Sequence, residues 1–292
     1  MALPYDVFGL GQCVADRLSL VDSFAAADEK REVTDLVEQT GGPVATALTV
    51  LAGWGRRCAL AGVVGDDDDG TRIRADLERD GIDTGRLLVR TGHRSQVAFI
   101  AVERSSGRRI IYWQRPTGAP PAGVEIEAPP ARVFLTDGLF TEASLACARR
   151  ADRVVVDAGT LRDGTTAMLP VADVFIASES FARAYTGADD PAGAVRKMRE
   201  AGVAFAGVTL GERGYVALLP DGRLLERPAH AVTAVDTTGC GDVFHAGVIE
   251  GLLADWPPER CLDFAAWAAA QAATRLGNRS GIPAPDGYPG GV

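Results

Sequence analysis

Long apolar runs are missing from this 292-residue chain, and with them any segment of the length a membrane-spanning helix needs. Cysteine is sparse. The five present, Cys13, Cys58, Cys147, Cys240 and Cys261, are an odd number, widely spaced, with no C-x-x-C pair and no Cys/His cluster. That pattern argues against a disulfide frame or a structural zinc site. Positive charge is not in excess either: 30 Lys and Arg stand against 39 Asp and Glu, a formal net charge of -9. A broad nucleic-acid or anionic-membrane surface is therefore disfavoured, though single basic residues stay free to meet a phosphorylated ligand. No basic segment and apolar secretory run follows Met1, and there is no internal repeat. The expectation is a cytoplasmic protein whose partners are small molecules, with neither nucleic acid nor membrane among them.

What is present is an alternation. Short apolar runs at Val7-Phe8-Gly9-Leu10, 59–64, 133–135, 154–156, 174–176 and 205–209 are interleaved with helical patterns at 43–51, 70–79, 142–151 and 191–201. Such alternation predicts a mostly parallel sheet covered by helices. Two stretches break it, at about 17–40 and about 94–116, where period-two strands take over. The second reads as a hairpin, Val97 to Val102, a turn at Ser105-Ser106-Gly107, then Arg109 to Trp113. A small sheet inserted there is a lid, an edge hairpin or a dimer contact. The Gly- and Pro-rich ending, 281–292, reads as a loose tail.

The most informative segment is Asp236-Thr237-Thr238-Gly239-Cys240-Gly241-Asp242. Small residues at 239–241 allow close approach of a ligand to the backbone, and the apolar run that follows reads as a helix whose first N–H groups face that ligand. Such a turn suits a phosphate. Asp242, in the first helical turn, is positioned as a general base beside it, or simply as an acidic residue favouring a helix N-terminus.

Other turns follow strands, where ligands of open α/β sheets bind. Gly9-Leu10-Gly11 lacks the third glycine and the helix of a dinucleotide fingerprint. Asp16 is a candidate for binding sugar hydroxyls, or a solvated turn residue. Gly41-Gly42-Pro43 opens a helix and admits a polyol against its backbone, with Thr46 one turn on. The run Gly65-Asp66-Asp67-Asp68-Asp69-Gly70 is read as a helix cap rather than a cation site. Thr209-Leu210-Gly211-Glu212-Arg213-Gly214 offers donors to nucleotide phosphates or is an ordinary hairpin turn.

In this order, with the hairpin and with Leu276-Gly277 before Ile282-Pro283, these segments resemble the ribokinase-like, or PfkB, family of carbohydrate kinases over nearly the whole chain. The resemblance implies one ribokinase-like α/β domain over 1–292, a mostly parallel sheet with a small β-sheet lid inserted from about 17–40 and 94–116. It implies transfer of the γ-phosphoryl group of ATP, bound with Mg²⁺, to a primary hydroxyl of a sugar or nucleoside. Asp242 matches the family's base, and Gly239, Cys240 and Gly241 match its anion hole. Asp16, Gly41, Gly42 and Thr46 fall in the acceptor site, and Thr209, Gly211, Gly214 and Thr238 on the nucleotide side. Asp236 and Thr238 match the surroundings of an activating K⁺ in some relatives, and lids of this family often pair across a dimer.

Departures shape the expectation. Pro43 and Thr46 replace residues typical of ribokinases, Thr46 standing where Asn is common. Ribose is accordingly disfavoured against ketohexose-like or anionic sugars, for which Arg115 supplies a fork able to bind a carboxylate, sulfonate or phosphate. The family's N-x-x-E element is replaced by Ser178-Glu179-Ser180-Phe181, which leaves either Glu179 as the candidate Mg²⁺ ligand or waters to complete the metal shell. The alternatives are a nucleoside kinase and a sugar- or nucleotide-binding relative without turnover. His245 reads as a packing or substrate-shaping residue.

Overall fold

The computed structural model describes residues 3–277, 279 and 282–290. Nine strands form the main sheet: β1 (Tyr5–Leu10), β4 (Cys58–Gly65), β5 (Asp83–Arg90), β8 (Ala131–Thr136), β9 (Val154–Ala158), β10 (Val174–Ser178), β11 (Phe205–Thr209), β12 (Tyr215–Leu218) and β13 (Leu224–Arg227). Their order is β13-β12-β11-β10-β9-β8-β1-β4-β5, parallel except at the edge, where β12 and β13 run antiparallel.

Alternate residues of each central strand face opposite layers, as the period of a strand requires. Val7, Val133 and Ile176 pack under α1 (Pro43–Gly53), α2 (Asp68–Arg79), α7 (Cys240–Leu253) and α8 (Pro258–Ala272). Phe8, Phe134 and Phe175 pack under α3 (Thr141–Ala148), α5 (Glu179–Thr186) and α6 (Pro191–Glu200), with the short α4 (Asp163–Ala167) nearby. Both faces are covered, hence the near-continuous apolar strands.

A second sheet of four strands has the order β3-β2-β6-β7, from β2 (Val14–Val21), β3 (Asp35–Gly41), β6 (Gln96–Glu103) and β7 (Arg109–Gln114). Three pairings differ in sense: β2 with β3 and β6 with β7 are antiparallel, β2 with β6 parallel. Leu18, Leu20, Ile100 and Val102 bury one face, against which Leu276 packs.

The strand order reverses at β1: the chain moves to β4 and β5 on one side, then returns to β8 on the other. A crevice opens at such a switch point beyond the carboxyl ends of the strands. The small sheet leaves the chain at that point, directly after β1.

Two expectations need correction. Asp16 is not in a turn but is the third residue of β2. The expected loose tail is docked where it is described: Trp54 Nε1 donates to the Pro283 carbonyl at 2.7 Å, and the Tyr288 ring lies 5.5 Å from both Phe264 and Trp267. Gly281, Gly291 and Val292 lie outside the described residues. Among the described residues, no helix is long and apolar enough to cross a membrane.

Candidate active site

The turn at 236–239 is braced from beneath. Asp236 is buried, and its two carboxylate oxygens accept from the N–H of Thr238 at 2.8 Å and of Gly277 at 2.9 Å. One oxygen thus holds the turn and the other ties Gly277 to it, which explains why Leu276-Gly277 accompanies the turn in the sequence. Gly239 is the N-cap of α7 in the left-handed region, φ 76°, where a side chain would be strained, and no side chain caps the helix. Of its first N–H groups that of Cys240 makes only a long bond, 3.4 Å, to the Thr237 carbonyl, and an uncapped helix start of this kind is where an anion binds. Nothing lies within 4 Å of where a Cβ on Gly241 would stand, so this glycine opens onto space rather than onto protein. The Thr238 hydroxyl is buried without a hydrogen-bond partner among the described residues. Cys240 is partly buried, and burial pushes its thiol up to about 12, with the charge of Asp236 adding to the effect. It is a poor nucleophile at neutral pH.

Asp242 stands in the first turn of α7. Burial holds its carboxyl well above the usual carboxylate range, the negative charges of Asp157 and Asp16 raise it further, and Arg109 opposes them. The Thr46 hydroxyl donates a hydrogen bond to it and also lowers its pKa. Thr46 is fully buried in α1, so its hydroxyl serves the candidate base rather than standing free for a sugar.

Asp16 faces the same crevice from the small sheet, buried to 6% exposure, with no side-chain partner among the described residues. Burial alone pushes its carboxyl up to about 7. The glycine pair makes its room: a Cβ on Gly41 would collide with the Asp16 carboxylate, and one on Gly42, at φ 103°, with the Gln12 carbonyl. Pro43 starts α1 with no N–H to satisfy. Asp16, the glycine pair and Asp242 are thereby brought together around one crevice.

The other expected residues divide. Among the described residues Arg115 makes no carboxylate pair; its guanidinium stacks over the Trp113 ring at 4.6 Å, and its carbonyl accepts from Arg94 Nε at 3.3 Å. Thr209 ends β11 and donates to the Ala177 carbonyl at 3.3 Å, while Gly211 and Gly214 both adopt positive φ, 62° and 94°. Glu179 is spent elsewhere: its carboxylate pairs with Arg183 at 2.9 Å and with Arg213 at 2.7 Å. A Mg²⁺ ion at Glu179 would have to compete with those two ion pairs. Among the described residues no three His, Cys, Asp or Glu side chains group to hold a metal. The aspartate run at 66–69 behaves as a cap: Asp67 accepts from the Gly70 and Ser95 N–H groups, Asp69 pairs with Arg17 and Arg72, and Asp66 accepts from the Gly92 N–H.

Four residues of the crevice were not singled out from the sequence. Asp137, just past β8, is buried and raised in pKa by that burial, though the N–H groups of Gln12 and Leu139 donate to it at 3.0 and 2.9 Å. Asp157, in β9, lies 3.2 Å from His245 Nδ1. His245 is buried, its other neighbours being the carbonyls of Gly241 at 2.8 Å and Ile176 at 3.2 Å. Both aspartates are carboxylates at strand ends, a signal available in Val154-Val155-Val156-Asp157 and in 133–137. Arg109 and Trp113 carried no such signal. By register Trp113 lies beside Ala98, which lies beside Asp16, so they share the face of the small sheet that meets the crevice. Arg109, on that same face, donates through Nη1 to the Thr237 hydroxyl at 2.7 Å.

With this geometry in view, a model of the pfkB family carbohydrate kinases matches residues 6–285. The chain belongs to that family. An ATP-dependent ribose-1-phosphate kinase from Halopiger xanaduensis is 30% identical to this pfkB carbohydrate kinase over 280 residues, 89% of each chain. Among solved structures, the ribokinase of Thermotoga maritima superposes with a TM-score of 0.80 at 24% identity, covering 97% of both chains. The adenosine kinase of Sinorhizobium meliloti does so with a TM-score of 0.81 at 21% identity, covering 94% of this chain and 96% of that one. These likenesses bear out the ribokinase-like fold. The protein is a kinase of the pfkB family, acting on a small sugar or nucleoside with ATP as phosphoryl donor.

Proposed function

We propose that this kinase transfers the γ-phosphoryl group of ATP to a primary hydroxyl of a ketohexose-like or anionic sugar, with Asp242 as general base. The observation that carries the reading is the meeting of Asp242, Asp16 and the uncapped start of α7 around one crevice. In the step, a bond forms from the acceptor oxygen to the γ-phosphorus while the bond from that phosphorus to the β–γ bridging oxygen breaks. ADP leaves, and the hydroxyl proton passes to Asp242. Its raised pKa, tempered by Thr46 and Arg109, makes it a stronger base than an exposed aspartate. N–H groups from Gly239 to Gly241 meet the charge on the group in transfer.

Asp16 is assigned to acceptor hydroxyls and the turn at 209–214, with Thr238, to the nucleotide. Mg²⁺, bound with ATP, supplies charge neutralisation on the phosphates. A K⁺ ion is proposed beside the unpartnered Thr238 hydroxyl, with a rise in turnover on adding K⁺ as its check. The anionic preference rests on Arg115 and is supported by the relative whose name specifies a phosphorylated sugar. The exposed Trp113 favours one second reading, a nucleoside whose base stacks on the indole. The outer face of the small sheet exposes Leu36, Phe99 and Tyr112, and we assign it to a homodimer contact.

A coupled ATP-consumption screen over neutral sugars, sugar acids, sulfosugars, sugar phosphates and nucleosides tests the reading. Acceptor-dependent ADP formation with sugars, strongest with anionic ones, is expected; turnover of nucleosides alone would reverse the order. Binding of sugar and ATP without any transfer would leave a non-catalytic relative.

A further inference from the structure

His245 is buried one turn along α7 from Asp242, and the transfer step as described makes no use of it. Its ring is fixed at three points. Nδ1 lies 2.8 Å from the Gly241 carbonyl oxygen and 3.2 Å from the Asp157 carboxylate, and Nε2 lies 3.2 Å from the Ile176 carbonyl oxygen. Carbonyl oxygens only accept. A neutral imidazole carries one N–H and one lone pair, so in that form one nitrogen would aim its lone pair at a carbonyl oxygen. Only a ring with a proton on both nitrogens meets all three contacts.

The charges nearby point the same way. Asp157 is buried in β9, and the register sets it beside Ile176 in β10, so His245 bridges both strands to the first turn of α7. Four aspartates act on one another at this crevice: Asp16 and Asp157 on Asp242, and Asp157 on Asp137. Arg109 answers Asp242 and Arg162 answers Asp137. Among the described residues, the one ion-pair partner of Asp157 is His245. A carboxylate buried against a single partner is costly unless that partner carries charge.

We propose that His245 is a positioning residue for the transfer, held as an imidazolium by the Gly241 and Ile176 carbonyls and closing a neutral ion pair with Asp157 behind Asp242. This rests on the kinase reading above. His245 touches no reacting atom. It acts through Asp157, whose negative charge raises the Asp242 carboxyl, and through the Gly241 carbonyl in the turn that opens onto the ligand. Asp16, Arg109 and the Thr46 hydroxyl also act on Asp242, and they are unaltered in the variants below.

Two measurements on the full chain test the proposal. The protein has three histidines, of which His93 and His230 are exposed, so the buried ring is readily told apart. In the ¹⁵N-histidine-labelled wild type at about pH 7.5, long-range ¹H–¹⁵N correlation should show protons on both ring nitrogens of His245, assigned by their loss in His245→Gln. A ring protonated on one nitrogen alone would overturn the proposal and leave the kinase reading intact. The second measurement is the pH profile of kcat at saturating sugar and Mg²⁺-ATP. His245→Gln strands the charge of Asp157, so the acid limb should move up by about one pH unit, and Asp157→Asn added to it should return the limb to within about 0.3 of the wild type. A limb that His245→Gln leaves in place, or that the double variant does not restore, would overturn the proposal, because a merely structural histidine changes stability without moving the profile. If the stranded charge unfolds His245→Gln, the double variant should melt above it; one that melts no higher would overturn the pairing. Asp242→Asn as fast as the wild type would instead remove the base, and the proposal with it.

Discussion

Asp16 is the residue on which pH acts most simply. Burial lifts its folded-state carboxyl to about 7, against about 3.9 for an unfolded aspartate. Acceptor hydroxyls donate to the ionised form, so KM for the acceptor should fall roughly tenfold as pH rises from about 6 to about 8; a flat profile would remove Asp16 from acceptor binding. The same shift has an opposite effect on stability. Between the two pKa values the folded state binds more protons than the unfolded one, so stability is lost as pH rises through that window. Asp16→Asn removes this cost, and thermal melts should show it more stable than the wild type near pH 8 and no better near pH 4. Thr46 acts at the same scale. Thr46→Val takes away a hydrogen bond that lowers the Asp242 pKa, so the acid limb of the kcat profile should move to higher pH while KM for ATP holds. An unmoved limb would mean that Asp242 does not titrate in the rate.

At the scale of elements, the glycine pair before α1 fixes how the small sheet meets the large one. Gly42→Ala places a Cβ at φ 103° against the Gln12 carbonyl, which should cost about 1–3 kcal/mol in urea unfolding and raise the acceptor KM. A neutral substitution would mean that the α1 start relaxes freely. The elements bearing chemistry were legible because a glycine turn entering a helix has a local cause: Gly239 through Asp242 read as the start of α7 without knowledge of the fold. Asp16 was legible as a candidate but not as a strand residue, because β2 owes its register to β3 and β6, far off in sequence. The ion pairs of Glu179 were hidden for a related reason. Its partner Arg213 sits on another turn, and nothing near 179 announces an ion pair formed across two loops. Arg109 was hidden most fully, since its place depends on one sheet docking on another.

For the whole molecule, the proposed site lies where the switch point of the large sheet, the start of α7 and the inner face of the small sheet meet. The outer face of that small sheet carries exposed apolar side chains beside the Arg17–Glu38 pair, with Tyr112 69% and Phe99 52% exposed. Phe99→Asp combined with Tyr112→Asp should give a monomer by light scattering where the wild type is a dimer; a wild type that is monomeric at all concentrations would remove that contact. The described tail is part of the body rather than an appendage, held by Trp54 and the Tyr288 ring. The central claim is that Asp242 accepts the acceptor's proton in phosphoryl transfer, and rapid-quench single-turnover measurement of phosphorylated product tests it most directly. With a turned-over sugar and saturating Mg²⁺-ATP, Asp242→Asn is predicted to slow product formation by about 10²–10⁴-fold while ATP binding stays within about threefold. Product formed at the wild-type rate by Asp242→Asn would contradict the account.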